Sequence, residues 1–480
     1  MSEKTVVTRF APSPTGYMHI GNLRTALYSY LIARHHGGRF ILRIEDTDRE
    51  RLVEGATDVI LRTLAVTGIT YDEGPLVGGD HGPYIQSERK PIYMEYAKKL
   101  VEAGAAYYCF CTKERLESLT DENGQRKYDK HCLHLSREEV ERRIAAGEPY
   151  VIRQNIPEEG VSWYEDLVYG KISVELKELE DNILIKSDGM PTYNFANVID
   201  DHLMKINYVI RGTEYLSSTP KYNLLYEAFG WEIPKYLHLP PVMRDEKHKL
   251  SKRYGDPSYN DLLNEGFLGE ALVNYIALLG WSPKENVEKM DMETLKRLFT
   301  LEGISHSPAI FDKTKLRWLN GEYIKAMSPE EFAERAKPWL DKSPAAGRFD
   351  YITVAKLLIT RVDTFGDIAE KLAFLDAYDG FDLEMLENKK QKATKELAKE
   401  ILPELIERVE ALPAYTEEAL HDLLIGYATE KGYKNGQVMW PFRIAITGAM
   451  NTPGGAIEMA LLFGKEVTLC RLKETLARLA

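Results

Sequence analysis

The stretch from Arg9 to Arg24, Arg-Phe-Ala-Pro-Ser-Pro-Thr-Gly-Tyr-Met-His-Ile-Gly-Asn-Leu-Arg, constrains the chain on both sides of it. A β-branched run, Thr5-Val6-Val7-Thr8, precedes it, and Leu23, Leu27, Tyr30 and Leu31 recur at helical spacing after it, which makes it a strand-to-helix turn. Pro12 and Pro14 stiffen the turn, Gly16 and Gly21 let a ligand approach the backbone, and Asn22 is placed to cap the helix. A turn of this kind aims free N–H groups and the positive helix end at what lies above it, usually a phosphate. His19 faces that site. Gly37-Gly38 ends the helix, and Arg39 to Ile44 reads as a second strand closing on Glu45-Asp46-Thr47-Asp48. Strand, turn, helix and strand form a βαβ unit, so the expected fold is α/β, with a parallel sheet and a ligand site at the carboxyl ends of its strands. Glu45 falls on the rim that holds His19.

Length and charge limit what surrounds this unit. At 480 residues the chain is long enough for three or more structural units. A formal charge of −12 excludes a protein that coats nucleic acid indiscriminately, because such binding is driven by phosphate neutralisation. The amino terminus lacks an apolar signal core, and no apolar run approaches the roughly 20 residues needed to cross a bilayer, so a soluble cytoplasmic protein with no membrane partner is expected.

Beyond the βαβ unit the texture changes at Ala105-Ala106-Tyr107-Tyr108-Cys109-Phe110-Cys111, a strand-like run. Cys109, Cys111, Cys132 and His134 supply three thiolates and one imidazole, the donors of a tetrahedral structural zinc site. The same spacing also suits small cysteines buried in an aromatic strand with His134 on the surface, and spacing alone leaves both open. Short β-like runs at 150–153, 172–176 and 182–185 suggest an insertion with its own small sheet. The parallel theme resumes where Lys186 to Asn197 turns into a helix, and the strand Tyr208 to Gly212 carries Arg211 at its carboxyl end. After a last strand at 237–239, the loop Lys247 to Gly255 carries Lys249, Ser251 and Lys252, either a solvated loop or a mobile clamp for a polyphosphate. From Tyr259 onward helical patterns run to the end, among them 268–279, 329–340, 396–412 and 416–429.

His19-Ile20-Gly21-Asn22 and Lys249-Leu250-Ser251-Lys252-Arg253 lie some 230 residues apart. Together they resemble the two signature motifs of the class I aminoacyl-tRNA synthetases. Asn22 stands where the full first motif has a second histidine, and Leu250 and Arg253 replace the methionine and final serine of the second. Phe10 to Gly21, Arg43 to Asp48, Lys186 to Asn197 and the Pro453-Gly454-Gly455 turn further resemble the bacterial glutamate-activating branch over essentially the whole chain.

That resemblance implies a Rossmann-like catalytic domain split over 1–95 and 186–250. It also implies an α/β insertion at 96–185 that grips the tRNA acceptor stem and holds zinc, a stem-contact linker at 251–322, and an all-helical anticodon-binding region at 323–480. The implied partners are L-glutamate, ATP with Mg²⁺, and tRNA(Glu), handled by a monomer. Catalysis would rest on His19, Lys249 and Lys252, and ATP binding on Gly16, His19, Gly21, Lys249, Ser251 and Lys252. Glutamate would be held by Arg9, Ser13, Glu45, Tyr193, Asn197 and Arg211, and activation would require bound tRNA. All four zinc positions are kept, and Arg361 resembles the arginine that reads the third anticodon base in enzymes that reject glutamine tRNA. A non-discriminating enzyme that also charges tRNA(Gln) and another adenylyl transferase of the superfamily are the alternatives. The second has no use for the helical half or for paired Arg9 and Arg211.

Overall fold

The computed structural model describes residues 4–16, 18–119, 128–250 and 255–480. Contacts divide the chain into two compact units, Met1–Asp261 with Leu272–Asp312, and Leu262–Ala271 with Lys313–Ala480. This is a coarser division than the four segments expected, and the 251–322 stretch is shared between the units.

The first unit is built on β1 (Val7–Phe10), α1 (Ile20–His35) and β2 (Arg39–Leu42), with β1 and β2 parallel and in register from Val7 opposite Arg39 to Phe10 opposite Leu42. It continues through α2 (Ala56–Val66), α3 (Lys90–Glu102), β3 (Ala106–Cys109), α4 (Lys113–Ser118), α5 (Arg137–Ala145), β4 (Val151–Gln154), β5 (Val161–Asp166), β6 (Gly170–Glu175) and β7 (Ile183–Ile185). The later elements are α6 (Tyr193–Leu203), β8 (Tyr208–Gly212), α7 (Thr219–Ala228), β9 (Lys235–Leu239), β10 (Val242–Met243) and β11 (Ala309–Ile310).

Strand β8 runs parallel to β9, and Asn207 joins this pair to β1. Its backbone N–H donates to Val7 O at 3.1 Å, and its Oδ1 accepts from Val7 N at 2.8 Å. The carboxyl ends of β1, β2, β8 and β9 therefore face one way, as a βαβ-derived sheet requires. Helix α1 is buried on nearly every side because it is covered twice. The sheet lies on one face, and on the other the Tyr28 phenol donates to the carbonyls of Ala277 and Leu279 while its ring meets Phe299 edge-on at 4.9 Å.

The inserted segment differs from the sequence expectation. Only β3, β4 and β7 form its own antiparallel sheet. The hairpin β5–β6 joins the edge of the catalytic sheet instead, with β5 parallel to β9. Along β5 the exposed Val161, Trp163 and Glu165 alternate with the buried Ser162, Tyr164 and Asp166, the two-residue period of a half-buried strand. The small sheet also shares a core with the catalytic half, since Ala106, Ile152, Leu184 and Ile185 pack with Tyr93, Phe195, Ile199 and Tyr222.

The second unit is helical. Pro329–Arg335, Tyr351–Leu358, Lys395–Ala411, Glu417–Lys431, Asn435–Thr447 and Ala456–Leu479 enclose a core that includes Phe332, Leu358, Leu405, Leu424, Phe442 and Met459. Residues 262–271 belong to it because Leu268 N donates to Asn320 Oδ1 at 2.8 Å and Phe365 N to Gly266 O at 3.0 Å. No helix among the described residues is long and apolar enough to cross a membrane.

Candidate active site

A cleft of about 670 Å³ opens over the carboxyl ends of β1, β8 and β9. Arg9, Ser13, His19, Gly21, Glu45, Tyr193, Arg211 and Lys249 all line it, although they come from segments up to 240 residues apart. Gly16 lines a smaller hollow on the other side of Ser13 and His19. Ser251 and Lys252 lie outside the described residues.

The phosphate side of the cleft is the start of α1. The helix begins at Ile20, with His19 at its N-cap in extended conformation and no side-chain cap bond. The expected cap, Asn22, lies inside the first turn instead. Leu23 N, which donates to His19 O at 2.9 Å, makes the first intrahelical bond, so the N–H groups of Ile20, Gly21 and Asn22 have no partner within the helix. His19 and Asn22 are exposed beside them, and a Cβ on Gly21 would meet nothing within 4 Å. Lys249 reaches the same cleft from a turn that folds back on β10, where Leu250 N donates to Val242 O at 3.0 Å.

The opposite wall is a buried lattice of charge. Arg9 Nε donates to Asp201 Oδ1 at 3.1 Å and its Nη1 to Ile210 O at 3.1 Å. Arg43, fully buried, donates to Asp201 at 2.8 Å and to Glu45 at 2.9 Å. Arg89 donates to Asp200 at 2.7 Å, and Gln86 and Tyr93 donate to its other oxygen at 2.8 Å each. Three guanidinium groups thus balance three carboxylates. Burial pushes the Glu45 carboxyl above its ordinary range, with Arg43 acting against it, whereas in Asp201 the neighbouring Arg9 and Arg43 outweigh burial and hold the carboxyl below.

Arg211 is different. It is only 5% exposed and lines the cleft, yet it has no carboxylate partner among the described residues. Its Nε donates to His238 Nε2 at 3.1 Å and its Nη2 to Thr219 Oγ1 at 2.6 Å, and its guanidinium sits 4.9–5.3 Å from the rings of Tyr215, Tyr222 and Tyr236. Tyr193, from the first turn of α6, packs against Tyr215 at 5.3 Å. Asn197 stands behind that wall, 2% exposed, with its amide nitrogen donated to Tyr193 O at 2.6 Å.

Sequence reasoning assigned no role to Arg43, Asp200, Asp201, Thr219 or His238. A signal for the acids was available, since Tyr193, Asn197 and Asp200 or Asp201 follow helical spacing and share one face of α6.

The cysteine cluster is present in part. The sulfurs of Cys109, Cys111 and Cys132 lie within 4.8 Å of one another. His134 is not grouped with them and its side chain is exposed. The fourth group against the sulfurs is the Tyr128 phenol, 3.1 Å from Cys109 and 3.4 Å from Cys111. Hydrogen bonding from Cys132, and then from Tyr128, holds the Cys109 thiol well below its ordinary value. Arg115 Nη1 lies 3.7 Å from Cys111, and Arg153 lies over the Tyr128 ring at 4.2 Å. Three sulfurs converging in this way are the donors a soft-ligand ion takes.

The first 318 residues carry the decisive match. Residues 5–318 match the family model of class I tRNA synthetases (E and Q), catalytic domain, and residues 331–476 match the anticodon binding domain. The chain belongs to the class I tRNA synthetase family. Among curated relatives, the glutamate–tRNA ligase of Clostridium botulinum (strain Eklund 17B / Type B) is 54% identical and that of Lachnoclostridium phytofermentans 55% identical, each with 99% of both chains covered. The crystal structure of a glutamate tRNA ligase from Elizabethkingia meningosepticum in complex with its amino acid superposes with a TM-score of 0.90 at 35% identity, covering 99% of this chain and all of that one. The fold is accordingly the class I synthetase fold, a Rossmann-like catalytic unit followed by a helical anticodon unit.

Proposed function

We propose that this class I synthetase activates L-glutamate with ATP to glutamyl-AMP and transfers the glutamyl group to the 3′ end of tRNA(Glu). The observation that carries the reading is Arg211, a buried guanidinium on the cleft wall that makes no ion pair with a carboxylate among the described residues. Burying such a cation costs free energy that an arriving anion offsets. A glutamate side-chain carboxylate is that anion, and the guanidinium fork matches it as a lysine would not. Arg9, whose Nε and Nη1 are engaged by Asp201 and Ile210, keeps Nη2 for the same carboxylate. Glu45 meets the α-amino group, Ser13 and Tyr193 line the space between, and Asn197 holds Tyr193 in place.

The substrate α-carboxylate attacks the α-phosphorus of ATP, the bond to the β-phosphate oxygen breaks, and pyrophosphate leaves. His19, the free N–H groups opening α1 and Lys249 stabilise the charge that develops there, joined in the family by Lys252 and Ser251. Mg²⁺ enters with ATP as part of the substrate. A terminal ribose hydroxyl of tRNA then attacks the acyl carbon and AMP departs. Because both reactants are anions held in fixed relation, positioning does most of the catalysis. In the helical unit, Arg361 is exposed and its side chain makes no hydrogen bond or ion pair among the described residues, which suits a reader of the third anticodon base. The reading includes a cytoplasmic monomer.

Glutamate-dependent pyrophosphate exchange with added tRNA is the test, alongside charging of purified tRNA(Glu) and tRNA(Gln). Exchange with glutamate and charging of tRNA(Glu) alone are expected. No exchange under any condition overturns the enzyme reading, and equal charging of both tRNAs overturns the discriminating form.

The insertion would hold a structural zinc ion through Cys109, Cys111 and Cys132, with the Tyr128 phenol at the fourth position. Purified protein should then carry one equivalent of zinc that Cys111→Ser loses and His134→Ala retains. Metal-free, fully folded protein contradicts the site, and zinc loss in His134→Ala restores the imidazole as a ligand.

A further inference from the structure

Arg211 does not stand alone in the wall. Its Nε–H points at His238 Nε2, 3.1 Å away, and His238 Nδ1 lies 2.6 Å from Asp166 Oδ2. An Nε–H can only donate, so His238 Nε2 must be the accepting, unprotonated nitrogen, and the ring proton must sit on Nδ1. Asp166 is built to enforce that tautomer. Its Oδ1 accepts from Val168 N at 2.9 Å and Tyr169 N at 3.0 Å, and its Oδ2 accepts from His238 N at 3.1 Å as well as from the ring. Both oxygens are thus committed as acceptors, and only an Nδ1–H completes the set. His238 and Asp166 are 0% and 2% exposed, so water cannot substitute for either contact.

We propose that His238 and Asp166 are positioning residues for substrate selection, a buried relay that fixes the Arg211 fork in the orientation that receives the substrate side-chain carboxylate. The inference rests on the glutamate-activating reading above. Nε is held by His238 and one Nη2 hydrogen by Thr219 Oγ1, which is itself fixed by donating to Tyr215 O at 2.8 Å. The Nη1 hydrogens and the second Nη2 hydrogen remain for the substrate. The relay crosses three strands of one sheet, Asp166 ending β5, His238 on β9 and Arg211 on β8, so strand register sets its geometry. Strand β5, which the sequence reading did not recognise, and its partner β6, expected in a separate small sheet, thereby support the substrate pocket. Neither His238 nor Asp166 lines the cleft, so neither touches substrate. A fork supported from behind in this way keeps a bidentate contact in its productive geometry.

Three variants separate this role from simple structural support, read as glutamate KM, ATP KM and kcat in tRNA-supported pyrophosphate exchange. His238→Leu removes the acceptor. Asp166→Asn keeps the shape but offers an N–H where Oδ2 stood, which drives the ring proton to Nε2 and sets two donors against each other. His238→Gln returns an acceptor oxygen near the Nε2 position. Losing one buried, charge-assisted hydrogen bond should raise glutamate KM about 10- to 100-fold in His238→Leu and Asp166→Asn while ATP KM moves less than about twofold, and His238→Gln should recover most of the loss. Unchanged glutamate KM in Asp166→Asn, or a parallel rise for ATP and glutamate, overturns the relay. If His238→Leu does not fold, Asp166→Asn and His238→Gln decide alone. Wild-type protein without glutamate-dependent exchange would instead signal failure of the glutamate reading.

Discussion

Removing the Arg43 guanidinium would leave Glu45, Asp200 and Asp201 facing only Arg9 and Arg89 in a region between 0% and 5% exposed. A buried carboxylate stripped of its cation costs about 3–5 kcal/mol, so Arg43→Met should lower the melting temperature of the catalytic unit by on the order of 10 °C. Thermal unfolding with and without the substitution checks this; an unchanged melting temperature would mean that the acids titrate or rehydrate without consequence. The residues of this wall were unequally legible in sequence. Arg9 and Arg211 stand at strand ends in a chain with a phosphate-binding turn, and their chemistry suggests an anion. Asp201 is 192 residues from Arg9, and His238 sits inside a short apolar strand where nothing local distinguishes a buried relay from a packed imidazole. At the cysteine cluster, spacing left His134 open as either a ligand or a surface residue; its side chain is exposed, while the Tyr128 phenol reaches the sulfurs from outside the motif.

At the scale of elements, the turn between α1 and β2 is tightly specified by Gly38. A Cβ on Gly38 would sit 2.0 Å from Val6 O and 2.9 Å from Val6 C, and that Val6 O also accepts the Arg39 N–H at 2.8 Å. Gly38→Ala must therefore push β2 away from the strand preceding it, and a loss of at least about 1–3 kcal/mol is expected in denaturant unfolding. Wild-type stability in that variant would show that the turn yields without cost. The helix-strand alternation around this turn was legible because hydrophobic period and Gly-Gly punctuation agree. The β5–β6 hairpin was not. Its outward face carries Val161, Trp163 and Glu165 and its inward face Ser162, Tyr164 and Asp166, so polarity does not follow burial. A strand whose buried side carries a functional carboxylate reads as irregular chain.

Across the whole molecule, each unit has its own apolar core. Ligands that bind only the native state stabilise the unit that holds them, so ATP and glutamate together should raise the thermal unfolding temperature of the catalytic unit. Calorimetry that shows no shift with saturating substrates would contradict this. The helical unit was the more readable half. Helical periods at 329–340, 396–412 and 416–429 correspond closely to the observed Pro329–Arg335 with Lys337–Leu340, Lys395–Ala411 and Glu417–Lys431. What period alone could not supply was the assignment of 262–271 to that unit, which depends on Asn320 and Phe365 far along the chain.

Arg211, buried without a carboxylate ion pair among the described residues, should serve the substrate carboxylate, and kinetics of Arg211→Ala in tRNA-supported pyrophosphate exchange test this most directly. Losing a charge-assisted contact to the substrate should raise glutamate KM at least about 100-fold, leave ATP KM within about twofold, and weaken the preference for glutamate over glutamine. Equal losses for glutamate and ATP, or an unaltered glutamate KM, would contradict it.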